Sequence, residues 1–368
     1  MDSVLSDELL EEVLRRLPPR STFSLSTSDV SLVSKRWLRL YRSTRSTLSL
    51  HLSSNNNFTS PSSLSSFLSH YPHLSFLYLT IADAKFAITS PSPDHLFLSV
   101  ASSFPRLRLL CLQSNPLSLS TLLSLSTSCP HLTALYIALP RPFSLHWLLS
   151  FHSLKNLGVH FTSVPVQSES ERVDVASRVK SLDDAELKLE SLTLSGIRQG
   201  DRGLDWLWRS CKRLRKLLLH CCEGIGVDTS VLSFVDCFKG LQEVELRFCN
   251  SIADEILSVL AETCASLSSL LVHGCDGGRA GLLQFAKHSY CHGLQRSSLR
   301  FFLSLDWDGG ELKKAGCKSF QVSFAVIGAA VLLFGLMLRQ FHALILDMVN
   351  LVYVYIRVLG VKDVDLVI

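Results

Sequence analysis

The chain has 368 residues, which is enough for two domains or one elongated array, and 47% of its residues are hydrophobic while 18% are charged. This balance excludes global disorder and predicts a packed core. The formal net charge of +4 is small for this length. No field of the whole protein therefore favours nucleic acid, and any basic binding surface has to be local.

The amino terminus reads MDSVLSDELL, without a basic segment followed by an apolar one, so we expect no secretory signal peptide. The amino-terminal part is therefore expected in the cytoplasm, the nucleus or both. The chain has 11 cysteines, and in such a reducing compartment they are expected to be buried thiols rather than disulfides.

The first residues carry the pattern of an amphipathic helix. Ser6 is suited to cap its start, Pro18-Pro19 ends it, and the leucines between them share one broad apolar face. A second helix is predicted from about Asp29, with an apolar side and a separate basic stripe. That stripe runs through Lys35, Arg39 and Arg42. Two helices of this size bury too little surface to be stable alone, so a partner is implied.

Leu5-Ser6-Asp7-Glu8-Leu9-Leu10, followed by Val30-Ser31-Leu32-Val33-Ser34-Lys35-Arg36-Trp37, resembles the F-box, whose usual form reads LPDELL and then SLVCKRW. The resemblance implies a three-helix unit within residues 1–47 that binds a Skp-type adaptor and, through it, a cullin and its RING subunit. It assigns adaptor binding to Leu5, Leu9, Leu10, Val13, Leu14, Leu17, Val30, Leu32, Val33 and Trp37. Ser6 and Ser34 depart from the usual motif, but no apolar anchor is lost. The alternative is an ordinary helical hairpin packing on the next domain.

A phrase of the form L-x-x-L-x-L recurs within residues 48–300. Its first leucine falls at Leu74, Leu107, Leu132, Leu154, Leu189, Leu214, Leu241 and Leu267. Each copy predicts a short strand followed by a helical stretch. Because one unit cannot bury both, neighbouring units are expected to stack into a curved solenoid with the strands on its concave face. A charged insertion at about residues 165–186 is expected to loop out of the stack.

Three copies continue to a cysteine, at Cys222, Cys249 and Cys275. The array resembles the cysteine-containing leucine-rich repeats of plant-type F-box proteins. This implies an α/β fold in which a short α-helical F-box precedes a right-handed β/α solenoid. The cysteine spacing follows the repeat period rather than a C-x-x-C knuckle, so we expect a buried structural ladder and neither a metal nor another cofactor. A zinc site is the alternative.

The positions between the repeat leucines are expected to face out of the concave side, because side chains alternate along a strand. They combine aromatic rings, both charges and histidines, which is typical of a protein-binding face. The candidate target-binding residues are Tyr78, Tyr136, His160, Lys216, His220, Glu243, Glu245, Arg247 and His273. An ordinary solvated sheet is the alternative.

A hydrophobic helical tail is predicted at residues 320–368, after a linker at 301–319. Residues 320–338 carry no charge and reach the length needed to cross a bilayer as a helix, which makes them a candidate membrane span. The lysines that precede them are expected to keep the earlier domains in the cytosol. The alternative is an aberrant end of the reading frame that leaves the solenoid without a cap.

No nucleophile elbow, phosphate-binding glycine loop or histidine-glutamate metal motif occurs, so we expect no catalysis by the chain itself. The features together predict the substrate-recognition subunit of an SCF-type ubiquitin ligase, which binds the adaptor through the F-box and an unidentified target through the repeats. One alternative is a leucine-rich-repeat scaffold without ligase recruitment, tethered to a membrane if the tail spans one. Nucleic-acid binding by the basic helix is disfavoured, because no supporting basic residues were recognised elsewhere on a common face.

Overall fold

The computed structural model describes residues 6–16, 33–52, 61–81, 94, 98, 101–113, 116–141, 144–165, 186–201, 204–225, 236–264, 266–275, 280–281, 299–302 and 320–322. Its strands are β1 (Thr47–Leu52), β2 (Phe76–Ile81), β3 (Leu109–Gln113), β4 (Ala134–Arg141), β5 (Asn156–Pro165), β6 (Ser191–Ser195), β7 (Lys216–His220), β8 (Glu243–Arg247), β9 (Ser269–His273), β10 (Leu299–Phe302) and β11 (Phe320–Val322). Its helices are α1 (Asp7–Arg16), α2 (Lys35–Thr44), α3 (Pro61–Leu68), α4 (Leu119–Ser128), α5 (Asp205–Ser210) and α6 (Ala253–Thr263), with a 3₁₀ helix at His146–Ser150.

The described strands form one parallel sheet in which each strand lies beside its neighbour in sequence, from β1 to β11. Each pair of neighbouring strands is parallel, so the chain must return to the same end of the sheet before each new strand. This strictly sequential order is that of stacked repeats rather than of a doubly wound sheet. The architecture is α/β and consistent with a leucine-rich-repeat solenoid, as predicted.

The leucines that open the repeats lie in the core. Each is at most 4% exposed: Leu74, Leu107, Leu132, Leu154, Leu189, Leu214, Leu241 and Leu267. The strands pair in register, so that Leu192 lies beside Leu217 and Leu217 beside Val244. Equivalent leucines therefore stack on one another, and one continuous core runs from Leu50 to Cys275.

The residue that follows each of four consecutive strands has backbone angles in the left-handed region. These residues follow β6, β7, β8 and β9 in turn: Gly196 (φ 78), Cys221 (φ 49), Phe248 (φ 52) and Gly274 (φ 60). Glycine adopts this conformation without steric cost, whereas at Cys221 and Phe248 it costs about 1–2 kcal/mol each. The turn directs the following residue into the core, which is how Cys222 and Cys249 become buried.

The segment predicted as one helix from about Asp29 is interrupted at Ser34. Val33 is helical, Ser34 has an extended backbone (φ −166, ψ 162), and α2 begins at Lys35, capped by the Ser34 hydroxyl, which accepts the Trp37 N–H at 3.2 Å. Val33 therefore precedes the cap of α2. Residues 29–32 lie outside the described part of the chain.

The sheet extends past residue 300, where a linker and then a helical tail were predicted. β10 pairs with β9, and Phe320 to Val322 pair with Leu299 to Phe301. Residues 320–322 are thus extended, because β10 offers them a parallel partner, and they do not begin a helix. The insertion at 166–185, the segment 303–319 and the remaining tail 323–368 lie outside the described residues. None of the helices that the structure describes is long and apolar enough to span a membrane.

Candidate protein-binding surfaces

Helices α1 and α2 pack on each other through a small leucine core. Leu10 and Leu14 are fully buried and Leu40 is 5% exposed, with Trp37 and Tyr41 packed around them. Arg36 joins the two helix starts by donating from Nε to Asp7 Oδ1 at 2.7 Å. The cap predicted at Ser6 is present, since its hydroxyl accepts the Leu9 N–H at 3.4 Å. The motif thus folds as a helix pair with a core of its own.

This helix pair leaves an apolar edge open to solvent. Leu9 is 59% exposed, Val13 50% and Val33 56%. Leu9 and Val13 are four residues apart on α1 and therefore lie side by side. Large apolar side chains that remain exposed together mark an interaction surface. Val33 is exposed just before the cap of α2, and we group it with Leu9 and Val13 under the name apolar edge.

The residues predicted to bind the adaptor divide between core and edge. Leu10 and Leu14 stabilise the helix pair itself, and Trp37 packs against the same core. Leu9, Val13 and Val33 are accessible to a partner. Four further candidates lie outside the described residues: Leu5, Leu17, Val30 and Leu32.

The basic stripe of α2 divides, and among the described residues only Arg42 is seen to contact the first repeat. The guanidinium carbon of Arg42 lies 5.5 Å from the ring centroid of Phe67 and 5.9 Å from that of Tyr71. Arg39 remains 72% exposed and approaches Asp7 at 3.6 Å. Arg42 therefore connects the helix pair to the solenoid through cation–π contacts.

On the concave face, the register of the strands arranges the candidate target-binding residues in columns. Tyr78, Tyr136 and Glu245 share one column, which also includes Gly158. A second column contains His160, Ser195, His220, Arg247 and His273. Lys216 and Glu243 are direct neighbours in a third. The structure thus brings the predicted residues of β5 to β9 together along five adjacent strands.

The second column, which we call the histidine column, is linked by hydrogen bonds and ring contacts. Ser195 Oγ lies 3.3 Å from His160 Nδ1 and 3.2 Å from His220 Nδ1. The hydroxyl has one proton to donate, so at least one of the two histidines donates to it. Farther along, the ring of Phe248 contacts those of His220 and His273, at centroid distances of 5.8 and 5.1 Å. Ser195 and Phe248 were absent from the sequence-based candidates.

Several of these concave side chains are more buried than side chains on a solvent-facing sheet usually are. His220, Glu245 and Arg247 are 4 to 6% exposed, and Arg247 donates to the carboxylate of Glu245. Burial, and then the charge of Arg247, lowers the pKa of His273. Lys216 and Glu243 form an ion pair at the surface. The middle and the carboxyl ends of β7 and β8 therefore carry a packed polar layer, whereas the accessible pair of Lys216 and Glu243 lies at their amino ends.

Tyr136 covers its neighbour in the first column. Its ring lies directly over Gly158 on β5, where a Cβ would stand 2.2 Å from Cδ1 of the tyrosine. The close approach requires glycine at this position. Burial raises the pKa of Tyr136 to about 12, so its hydroxyl stays protonated at neutral pH.

The repeat cysteines form a buried ladder, as predicted. Cys222, Cys249 and Cys275 are at most 3% exposed. Each thiol lies near two carbonyls that could accept its proton. One belongs to the residue two positions earlier, at 3.2 to 3.4 Å, and the other to the preceding strand: Leu194 at 3.7 Å, Leu219 at 3.4 Å and Leu246 at 3.7 Å, respectively. The second contact reaches the adjacent repeat, and both support a structural role for the thiols. Among the described residues, no cluster of His, Cys, Asp and Glu is arranged to hold a metal ion.

Comparison with known proteins gives a likeness to an F-box/LRR-repeat protein. No family model matches the chain. An F-box/LRR-repeat MAX2 homolog from Oryza sativa subsp. japonica is 27% identical to it over 191 residues. That match covers 48% of this chain and 23% of the rice protein, so the chain spans about a quarter of the relative's length. The likeness is weak, and it points to the same class of plant F-box/LRR proteins that the motif and the repeats resemble.

Proposed function

We propose that this chain is the substrate-recognition subunit of an SCF-type ubiquitin ligase. In this proposal α1 and α2 bind a Skp-type adaptor, and the solenoid binds the target protein. The observation that carries it is the apolar edge of Leu9, Val13 and Val33 on a helix pair with a very small core of its own. The sequential parallel sheet and the likeness to an F-box/LRR-repeat protein support the same assignment.

The apolar edge suits an adaptor interface for energetic reasons. Covering a leucine or valine side chain stabilises an assembly by about 1.5–3 kcal/mol when burial is complete. A partner that covers the edge would therefore contribute several such increments and complete a core that Leu10, Leu14 and Leu40 form only in part. Folding of the helix pair and binding of the adaptor are expected to reinforce each other.

In this function the chain acts by proximity. The adaptor would fix the helix pair to a cullin and its RING subunit, while the solenoid holds the target. A target lysine would then meet the ubiquitin-charged conjugating enzyme within one assembly, at an effective concentration far above that in free solution. The chain supplies position in this scheme, and the chemistry belongs to its partners.

Adaptor binding is tested with Leu9→Asp combined with Val13→Asp in the full chain. Both side chains are at least half exposed, so the variant should keep the fold of the solenoid while placing charge in the apolar edge. We expect co-purification with a Skp-type adaptor to fall at least tenfold, which corresponds to about 1.4 kcal/mol. The matched control is Leu123→Asp on α4, since Leu123 is 41% exposed but lies in the repeats.

The two outcomes separate the proposed function from its alternative. Loss of the adaptor in the double variant, together with retention in the Leu123→Asp control, is the expected result. Equal adaptor binding by both variants would contradict the assignment of the edge. A folded wild-type chain that binds no Skp-type adaptor would instead favour a leucine-rich-repeat scaffold without ligase recruitment.

A further inference from the structure

The amino ends of the parallel strands lie in one row along the solenoid, which we call the amino edge, and exposed cations recur along it. The residues just before β3 to β9 are Arg108, Thr133, Lys155, Glu190, Arg215, Gln242 and Ser268. From Thr133 onward, the backbone N–H of each donates to the carbonyl of the one before it, at 2.7 to 2.9 Å. This ladder places one such residue on each rung, and adjacent rungs are about 4.8 Å apart. Arg108, Lys155 and Arg215 therefore stand on every second rung, each about 10 Å from the next.

A second row of cations runs beside the first. It consists of residues at or near the position before the repeat leucine: Arg106, Lys188, Lys212 and Arg213, all of them exposed. We define the basic rim as Arg106, Arg108, Lys155, Lys188, Lys212, Arg213 and Arg215. These residues are spread over more than a hundred positions of the sequence, and the stacking of the strands places them along one edge.

The nearby acids do not neutralise the basic rim. Glu190 pairs with Lys155 and Glu186 with Arg213, each at 2.8 Å. Within the described part of the chain the other members form no ion pair: Arg106, Arg108, Lys188, Lys212 and Arg215. A hydrogen bond from Lys155 lowers the pKa of Glu190 most, and the charges of Arg215 and Arg213 lower it further. The edge thus carries an excess of positive charge.

At the opposite, carboxyl ends of the same strands, the described residues Arg247 and Arg141 are each paired with an acid, Glu245 and Asp201 respectively. A net charge of +4 for the whole chain is also small. A solvated surface that served only solubility would intersperse both signs. The basic rim instead places seven cations, two of them in ion pairs, on the edge where successive repeats present them in line.

We propose that the basic rim binds an acidic segment of the target protein, that is, an extended stretch rich in Asp and Glu; this inference rests on the proposed function of the solenoid as target receptor. Arginine presents a planar fork that binds a carboxylate through two hydrogen bonds, and it supplies four of the rim cations. An extended peptide places side chains on one face about every 7 Å. A peptide with acids at selected positions can therefore place its carboxylates against the cations and its neutral residues against the rim's own glutamates.

The acids within the rim favour a peptide over nucleic acid. Every nucleotide carries a phosphate, so a nucleic-acid backbone lying along the rim would place negative charge against any acid in it. Glu190 stands between Lys155 and Arg215 in the first row, and Glu186 stands beside Arg213. These carboxylates would repel a continuous chain of phosphates, whereas a peptide needs acids only at the cation positions.

The test measures binding of a fluorescein-labelled dodecapeptide of alternating Glu and Ser to the purified full chain by fluorescence anisotropy at low salt. The variant Arg108→Gln with Arg215→Gln removes two rim charges. The control Arg198→Gln with Arg209→Gln removes two exposed charges elsewhere. We expect the rim variant to bind the peptide about 3- to 10-fold more weakly than the wild type and the control to stay within about twofold. The wild-type affinity should fall as salt is added.

Two results would overturn this inference. The first is equal peptide affinity in the rim variant and the control. The second is rim-dependent binding of a 12-nucleotide single-stranded DNA that is tighter than that of the peptide at the same salt, which would assign the rim to nucleic acid. The rim variant should still co-purify with the Skp-type adaptor, because the apolar edge is unchanged. Failure of the adaptor assignment and failure of the rim assignment are therefore distinguishable.

Discussion

The helix pair and the solenoid bury apolar surface in opposite ways. In α1 and α2, three leucines are buried while Leu9, Val13 and Val33 remain largely exposed. In the solenoid, each inner repeat is covered by a neighbour on both sides, and the equivalent leucines are almost fully buried. The stability of the solenoid is therefore shared among its repeats. The stability of the helix pair is local, and a bound partner can increase it.

The largest effect is expected from Trp208→Ala in the middle of the solenoid. Trp208 is 1% exposed, donates its indole N–H to the Ile225 carbonyl at 3.0 Å and meets Phe238 edge to face at 6.4 Å. The substitution leaves a large cavity, so the free energy of unfolding should fall by about 3–5 kcal/mol. Urea unfolding followed by circular dichroism measures the change. The control Leu123→Ala, at an exposed site, should alter this free energy by less than about 0.5 kcal/mol.

A smaller and more local effect is expected from Leu14→Ala in the helix pair. Leu14 is fully buried against Leu10 and Leu40, so its truncation should destabilise that pair by about 2–4 kcal/mol. Hydrogen exchange should become faster in α1 and α2 and stay unchanged in β6 to β9. Adaptor binding should weaken in parallel. If Leu14→Ala lowered the urea midpoint of the solenoid as far as Trp208→Ala does, the two regions would form one cooperative unit and the contrast between them would be lost.

The repeat spacing was sufficient to predict which leucines are buried, because each copy meets the same environment as the copy before it. Contacts outside that period were not predictable. Arg141 binds Asp201, 60 residues away, with Nε and Oδ1 2.8 Å apart, and it also donates to the carbonyls of Phe161 and Thr162. No spacing in the sequence relates these two charges. The pairing arises from the way the ends of β4 and β5 meet the turn after β6.

The candidate surfaces were predictable to different degrees. The F-box-like motif identified Leu9, Val13 and Val33, but local spacing could not separate them from Leu10 and Leu14, which face the other helix. Ser195 could have been found from the register, since it occupies the strand position that His220 holds in the next repeat. The basic rim was missed because its members lie one or two per repeat. Their common edge is visible only once the repeats are stacked.

The smallest effect we predict is a change in how the stability of the solenoid depends on pH. Burial and Arg247 lower the pKa of His273 in the folded state, so the unfolded chain binds more protons at mildly acidic pH. Stability should therefore be complete above the ordinary histidine pKa of about 6.5 and should decline as the pH falls below it. His273→Phe keeps a ring against Phe248 and removes the titrating group. The difference in urea midpoint between pH 8 and pH 5 should be smaller in this variant than in the wild type, and an equal difference would contradict the assignment. The helix pair has no histidine among residues 6–16 and 33–46, so its hydrogen exchange should not distinguish the two proteins at either pH.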